Sequence, residues 1–187
     1  MCNMVKQVVE ERDISIPEGV QAELKNKHVS IKGPKGEVNR DFTSARRLFM
    51  EKKEDSIYIS VNFPRKATKA LVGTISSHIE NMIHGVTHGF KYKLKIVSSH
   101  FPILVEAKGD TVVIQNYLGE KAARYAKILW NTQVSVEGDD VIVEGIDIEK
   151  VGQTAANIQE VPRLRGKRRK DTRVFLDGIY IYDRKKR

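Results

Sequence analysis

The sequence predicts an α+β protein made of two tandem duplicated modules, each a twisted, mostly antiparallel sheet packed against one helix, plus a basic C-terminal extension. Segments that alternate apolar and polar side chains occur in both halves of the 187-residue chain. In each half a helix-like segment follows them, and the two helix-like segments can be aligned. We therefore expect an N-terminal α+β module over residues 1–85, a C-terminal α+β module over 86–161 and the extension over 162–187.

Two alternating segments indicate strands in the first module. Residues 28–33 (HVSIKG) and 56–61 (SIYISV) place apolar side chains at every second position, as half-buried strands do. The Pro-Lys-Gly sequence at 34–36 favours a turn. A helix-like segment over residues 66–82 follows the second strand. The second half repeats this order, with strands expected over 111–116 and 140–144 and a helix over 149–159.

The two helix-like segments carry the evidence for duplication. Residues 73–79 (GTISSHI) align with 152–158 (GQTAANI), and small side chains occupy matching positions. Small residues on one face let a helix lie close to a sheet. Gly85 and Gly89 favour a helix C-terminus and a turn, so they indicate the join between the modules.

A strictly alternating segment follows that join. In residues 90–96 (FKYKLKI), the apolar side chains share one face of a predicted strand, and Lys91, Lys93 and Lys95 share the other. This pattern is typical of a half-buried strand with a solvated lysine face. It also fits a row of lysines that contacts phosphates. The sequence leaves both interpretations open.

The positive charge of the chain is concentrated near its end. The net charge is +9, and residues 162–187, with eleven Lys or Arg against three Asp, contribute +8 of it. Such a block of like charges repels itself and is stabilised by a polyanion. Nucleic-acid binding is therefore favoured as its function over a solvated tail, a targeting signal or a lipid contact. The arginines are expected to matter most, since each can form two bonds to one phosphate. The predicted RNA-binding residues are Arg163, Arg165, Lys167, Arg168, Arg169, Lys170 and Arg173, with Lys91, Lys93 and Lys95.

Other chemistry is not indicated. No motif of a hydrolase, a phosphate-binding loop or a zinc protease occurs, so we expect neither an enzyme nor a cofactor. His84 and His88 lack a third ligand, so no metal is expected, and His100 has the pattern of an isolated residue. Trp130 favours core packing or an edge contact over stacking on a base. The lone Cys2 favours a reducing compartment, and no apolar run is long enough to cross a membrane.

Five sequence segments together point to one family. The chain resembles the universal large-subunit ribosomal protein numbered six in bacteria and nine in eukaryotes, in the eukaryotic or archaeal form. The resemblance covers essentially the whole chain. The segments that carry it are residues 29–36 (VSIKGPKG), 81–93 (NMIHGVTHGFKYK), 100–103 (HFPI), 116–121 (NYLGEK) and 175–180 (FLDGIY).

This resemblance implies a structural constituent of the large ribosomal subunit that supports translation and subunit assembly. It implies that the second module binds large-subunit ribosomal RNA near the sarcin–ricin loop. The first module would lie near the stalk base, beside neighbouring ribosomal proteins and transiently near translation GTPases. The location implied is the cytosolic ribosome, with nucleolar transit if the cell is eukaryotic. The family's RNA-contacting extension falls on the basic run before residue 175.

The chain departs from the family pattern in three places. It lacks a two-tryptophan patch around 62–64, has alanines at 122, 123 and 126 where charge is expected, and ends in a basic segment. A rival interpretation stays open, in which the chain is a protein–protein adaptor that uses sheet edges and carries a nuclear address in its tail.

Overall fold

The computed structural model describes residues 9–130, 132–164, 171 and 174–186, with the backbone alone at 185 and 186. The chain divides into two compact units, Met1–Thr87 and His88–Arg187. Each unit combines antiparallel strands with one α-helix, which confirms the predicted α+β class and the one-helix modules.

The described part of the first unit, from Val9 on, forms six strands and one long helix. Its elements are β1 (Val9–Ser15), β2 (Gln21–Lys25), β3 (His28–Gly33), β4 (Gly36–Asp41), β5 (Phe49–Lys52), β6 (Ser56–Asn62) and α1 (Lys66–Thr87). The strands form two antiparallel sheets, in the orders β1-β6-β5 and β2-β3-β4. Alternate residues of β6 are fully buried, so the period of two in the sequence does reflect a half-buried strand.

Helix α1 continues five residues beyond the predicted end at Met82. Its last turn packs against the turn between β3 and β4, where the Lys35 N–H donates to the Val86 carbonyl at 3.0 Å. A side chain at Gly33 would bring its Cβ within 2.8 Å of the Val86 side chain, so this close approach requires glycine. Because this packing buries the last turn, Gly85 lies inside the helix and does not end it.

In the second unit the described residues form seven strands and one helix. Its elements are β7 (Phe90–Val97), β8 (Leu104–Lys108), β9 (Thr111–Gln115), a short 3-10 turn (Tyr117–Gly119), β10 (Arg124–Lys127), β11 (Thr132–Glu137), β12 (Asp140–Gly145), α2 (Ile148–Glu160) and β13 (Gly178–Lys186). The antiparallel sheets have the orders β10-β9-β8 and β11-β12-β7-β13.

The strand order of the first unit recurs in the second. The row β1-β6-β5 corresponds to β7-β12-β11, and β2-β3-β4 corresponds to β8-β9-β10. The two helices also bury residues at the positions that the sequence alignment matches. These pairs are Val72 and Val151, Ile75 and Thr154, Ser76 and Ala155, and Ile79 and Ile158. The predicted duplication is therefore visible in both topology and packing.

Strand β13 is the main addition to the second unit. It pairs with β7 in antiparallel register from Gly178 opposite Val97 onward. Ile179 of β13 is buried in the same apolar cluster as Leu94 of β7 and Ile158 of α2. The sequence predicts a basic extension over residues 162–187 that Phe175, Leu176, Ile179 and Tyr180 dock on the second module. In the structure the last part of that range is a strand of the second unit's sheet, and Ile179 lies in its core.

Candidate nucleic-acid interface

The three predicted lysines of β7 lie on one face of the four-stranded sheet, and two of them form cross-strand ion pairs. Lys91 Nζ is 2.7 Å from Glu144 of β12, and Lys95 Nζ is 3.3 Å from Asp140 of the same strand. Lys93 lies between them, in register with Ile142 on β12. A phosphate at Lys91 or Lys95 would compete with the carboxylate of an ion pair, whereas Lys93 lies between Ile142 of β12 and Asp183 of β13. Phosphate contact by these lysines stays a prediction.

Of the predicted basic residues in the C-terminal segment, Arg163 is described. It follows α2, its side chain is exposed, and its backbone N–H donates to the Glu160 carbonyl at 3.1 Å. The other predicted contacts lie outside the described residues, at Arg165, Lys167, Arg168, Arg169, Lys170 and Arg173. The structure does show how the chain is held on both sides of them.

Arg124 of β10 fixes the chain before the basic segment. One guanidinium nitrogen donates to the Val161 carbonyl at 2.8 Å, just after α2 ends. Two others each donate to the Glu120 carboxylate at 2.9 Å, and the group lies 4.8 Å from the centroid of the Tyr117 ring. Because this arginine is engaged within the unit, its role is to anchor the chain at Val161.

Asp177 fixes the chain after the basic segment. Its carboxylate, 4% exposed as a residue, accepts hydrogen bonds from the Ser99 N–H at 2.7 Å and the His100 N–H at 3.3 Å. The His100 ring nitrogen Nδ1 lies 3.1 Å from the same carboxylate. Burial alone would raise the pKa of Asp177, but these hydrogen bonds and the charge of His100 hold the pKa below its ordinary value.

His100 also stacks on Phe175, with ring centroids 5.0 Å apart. The interpretation of His100 as an isolated residue is therefore wrong. Its partners lie more than seventy positions away in the chain, so the local sequence does not reveal them. Phe175 and the buried Ile179 together attach the end of the basic segment to the second unit. The chain is thus fixed at Val161 and at Asp177, the two points that bracket residues 162–176.

Two clefts flank the start of the basic segment, with volumes of about 720 and 520 Å³, and Arg163 and Leu164 line both. The first cleft also has Tyr125 and Lys127 of β10 in its wall. The Tyr125 residue is 65% exposed, which leaves a ring face and a cation beside the cleft. We did not predict this surface from the sequence. The available signal was the alternation along β10, in which Ala126 is buried and its neighbours Tyr125 and Lys127 are exposed.

Trp130 is 81% exposed, so of the two predicted roles core packing is wrong and an edge contact stays a prediction. It lies in the short connection between β10 and β11, where the Thr132 N–H donates to the Leu129 carbonyl at 3.2 Å.

Within the described ranges, no three His, Cys, Asp or Glu side chains are grouped in a way that could hold a metal ion. No helix in the described part of the chain is long and apolar enough to cross a membrane.

Comparison with known families accounts for the repeated architecture. The family model described as ribosomal protein L6 matches the chain twice, over residues 16–89 and over residues 101–177. The chain belongs to the ribosomal protein L6 family. The two matches coincide with the two units, so the L6 fold here is a duplication of one domain.

Relatives of this L6-family chain cover nearly its whole length. The large ribosomal subunit protein uL6 of Aeropyrum pernix is 49% identical over 181 residues, which are 97% of this chain and 98% of the relative. The corresponding protein of Staphylothermus marinus is 52% identical over 174 residues, or 91% and 92% of the two chains. That of Methanobrevibacter smithii is 46% identical over 169 residues, or 90% and 93%.

These matches confirm the resemblance inferred from the sequence motifs, including its eukaryotic or archaeal form, because the three relatives are archaeal. They also confirm that the chain is not an enzyme, since the L6 family consists of structural ribosomal proteins.

Proposed function

We propose that this L6-family chain is a structural constituent of the large ribosomal subunit and binds its RNA mainly through residues 163–173. The relatives named above are large-subunit proteins, and that name supports the assignment. The observation that carries the RNA contact is the double anchoring of the basic segment. Residues 163–173 hold seven Lys or Arg and one Asp, between the fixed points at Val161 and Asp177.

Double anchoring favours RNA binding for an entropic reason. A free basic tail loses conformational freedom when it is ordered on RNA, and this loss weakens binding. A segment fixed at both ends has lost part of that freedom already. Its arginines can each give two hydrogen bonds to a phosphate, and neutralising phosphates releases counterions from the RNA.

The β7 lysines have a secondary part in this proposal. Lys93 is the best placed of the three on its β12 side, where its neighbour is Ile142, and on its β13 side it lies in register with Asp183. Lys91 and Lys95 can add positive potential, but each shares its charge with an acid of β12. The cleft wall formed by Tyr125 and Lys127 adds a ring face for an unpaired base.

The finer placement in the ribosome rests on the family resemblance. We place the second unit near the sarcin–ricin loop and the first near the stalk base, beside neighbouring ribosomal proteins and transiently near translation GTPases. In this position the chain supports translation and subunit assembly. The proposed location is the cytoplasmic ribosome, with nucleolar transit only in a eukaryotic cell.

The test replaces five arginines of the basic segment with alanine and measures incorporation into large subunits. The variant carries Ala at Arg163, Arg165, Arg168, Arg169 and Arg173. Its matched control carries Ala at five exposed cations of the first unit, Arg46, Arg47, Lys52, Arg65 and Lys66. We expect the first variant to be absent from sucrose-gradient large-subunit fractions and the control to be present, with both folded by circular dichroism. Normal incorporation of the first variant would reject the proposal.

A further inference from the structure

Among the residues that the structure describes, the first unit has an open sheet edge where the second unit has a paired one. Strand β1 pairs with β6 without interruption, from Val9 opposite Asn62 to Ser15 opposite Ser56. On the other side of β1 the described residues place no strand. In the second unit the corresponding side of β7 carries β13. The fold therefore accommodates a strand at this position.

One hydrogen bond shows which backbone groups of β1 face the open edge. The Ile16 N–H donates to the Asp55 carbonyl at 2.8 Å, at the end of the pairing between β1 and β6. Residues of an antiparallel pair alternate between bonding their partner and pointing away from it. The even-numbered residues of β1 therefore bond β6, and the N–H and C=O groups of Glu11 and Asp13 point outward.

The same bond aligns the two units. In the second unit the Ile96 N–H donates to the Asp139 carbonyl at 2.8 Å. Ile16 thus corresponds to Ile96, and the alignment matches residues of β1 with residues of β7 eighty positions later in the chain. Three outward-facing residues of β1 then occupy the positions of the β7 lysines. Glu11 corresponds to Lys91, Asp13 to Lys93 and Ser15 to Lys95. Two acids and a serine in β1 therefore occupy the positions that three lysines occupy in β7.

The neighbouring strands make this face of the first unit more acidic. Asp13 of β1 and Glu51 of β5 both lie in register with Tyr58 of β6, one on each side. A hydrogen bond with Glu11, then burial, then the charges of the three acids raise the pKa of Tyr58. One cation is close, with Lys53 Nζ 4.3 Å from the centroid of the Tyr58 ring. Three carboxylates thus stand against one lysine around this tyrosine.

We propose that the β1 edge binds an extended Lys- and Arg-rich segment of a neighbouring protein, which adds to the sheet as a fourth strand. The outward N–H and C=O groups of Glu11 and Asp13 supply the backbone pairing. Their carboxylates attract basic side chains on the same face of the added strand, since opposite charges on adjacent strands attract. The same carboxylates repel RNA phosphates and a second copy of β1, so they select a basic polypeptide.

The test uses the full chain and two synthetic peptides of the length of β1, one alternating Lys and Val and one alternating Glu and Val. Hydrogen exchange of the β1 amides reports strand addition, and fluorescence anisotropy of the labelled peptide reports affinity. We expect the Lys-Val peptide, and not the Glu-Val peptide, to slow exchange at Glu11 and Asp13. The double variant Glu11→Lys with Asp13→Lys should weaken binding by about tenfold, as the loss of two favourable cross-strand pairs requires.

Two further variants separate strand addition from charge attraction. Asp13→Pro removes one outward N–H and should abolish the slowed exchange. The control Glu18→Lys with Glu23→Lys makes the same change of charge at exposed positions off this strand and should bind normally. If Asp13→Pro does not fold, hydrogen exchange of the β1 amides in the charge-reversed variant, measured with the Lys-Val peptide, still tests the proposal.

Several results would overturn the proposal. One group concerns specificity: equal effects of the Lys-Val and Glu-Val peptides, normal binding of the Lys-Val peptide by the charge-reversed variant, or slowed exchange of the β1 amides with an RNA oligonucleotide. The other concerns strand addition: a rise in peptide anisotropy without slowed exchange of the β1 amides, or β1 amides that are already protected in the chain alone. Since β1 lies outside the basic segment, the five-arginine variant should bind the Lys-Val peptide normally, which keeps this proposal separate from the RNA proposal.

Discussion

Replacing Asp177 with asparagine tests the anchor that follows the basic segment. In the protein, the buried carboxylate faces two backbone N–H groups and the His100 ring. Asparagine keeps one side-chain oxygen, which can still accept from the Ser99 N–H, the shorter of the two backbone hydrogen bonds. Its amide nitrogen would face the His100 backbone N–H and leave that donor without an acceptor.

The expected loss of stability follows from those contacts. A hydrogen bond to a charged group contributes about 1.5–3 kcal/mol, and a buried donor left without an acceptor costs a similar amount. We expect Asp177→Asn to lower the free energy of unfolding by about 2–3 kcal/mol at pH 7. Because folding lowers the pKa of Asp177, its contribution is complete above the unfolded-state pKa of about 3.9 and is lost as pH falls through the folded-state value. The difference between the two proteins should therefore shrink in acid.

Urea unfolding followed by far-ultraviolet circular dichroism, at pH 7 and in acid, measures both effects. Asp110→Asn serves as the control, because Asp110 is exposed and should change stability by less than about 0.5 kcal/mol. An Asp177→Asn protein as stable as the parent at pH 7, or equally destabilised at both pH values, would refute the anchoring argument.

Three further predictions concern packing and RNA binding. Gly33→Ala should lower the free energy of unfolding by about 1–3 kcal/mol, since its Cβ would crowd Val86, whereas Gly73→Ala has space and should not destabilise; urea midpoints measure both. Lys93→Ala should weaken binding to large-subunit RNA more than Lys91→Ala, because Lys91 is paired with an acid; equal effects in filter binding would contradict this. If about six phosphates are contacted, log affinity should fall against log salt with a slope of roughly −4 to −5, and a slope near zero would contradict phosphate binding.

Much of the fold could be predicted because it depends on local patterns. The strand over residues 28–33 matches β3 at both ends, since alternation and the following turn are both local signals. Matching small residues in the two helices predicted the duplication. The end of α1 could not be predicted, because the contact of Val86 with the turn at Gly33 joins residues distant in sequence.

Part of the candidate site could likewise be predicted from the local sequence, and part depends on contacts between distant residues. Counting charges located the basic segment, because composition is read directly from the sequence. Its two polar anchors were missed, since Arg124 reaches Val161 and His100 reaches Asp177 only after the second unit folds. The ion pairs of the β7 lysines were also hidden, because the register with β12 decides which acid faces which lysine.

Crosslinking within assembled large subunits tests the central claim most directly. Subunits that contain this chain are irradiated, digested with nuclease and protease, and analysed by mass spectrometry for peptides that carry a nucleotide. The account predicts RNA-linked peptides from residues 163–173 as the major product. Nucleotides attached to peptides of the first unit alone, with residues 163–173 recovered unmodified, would contradict it.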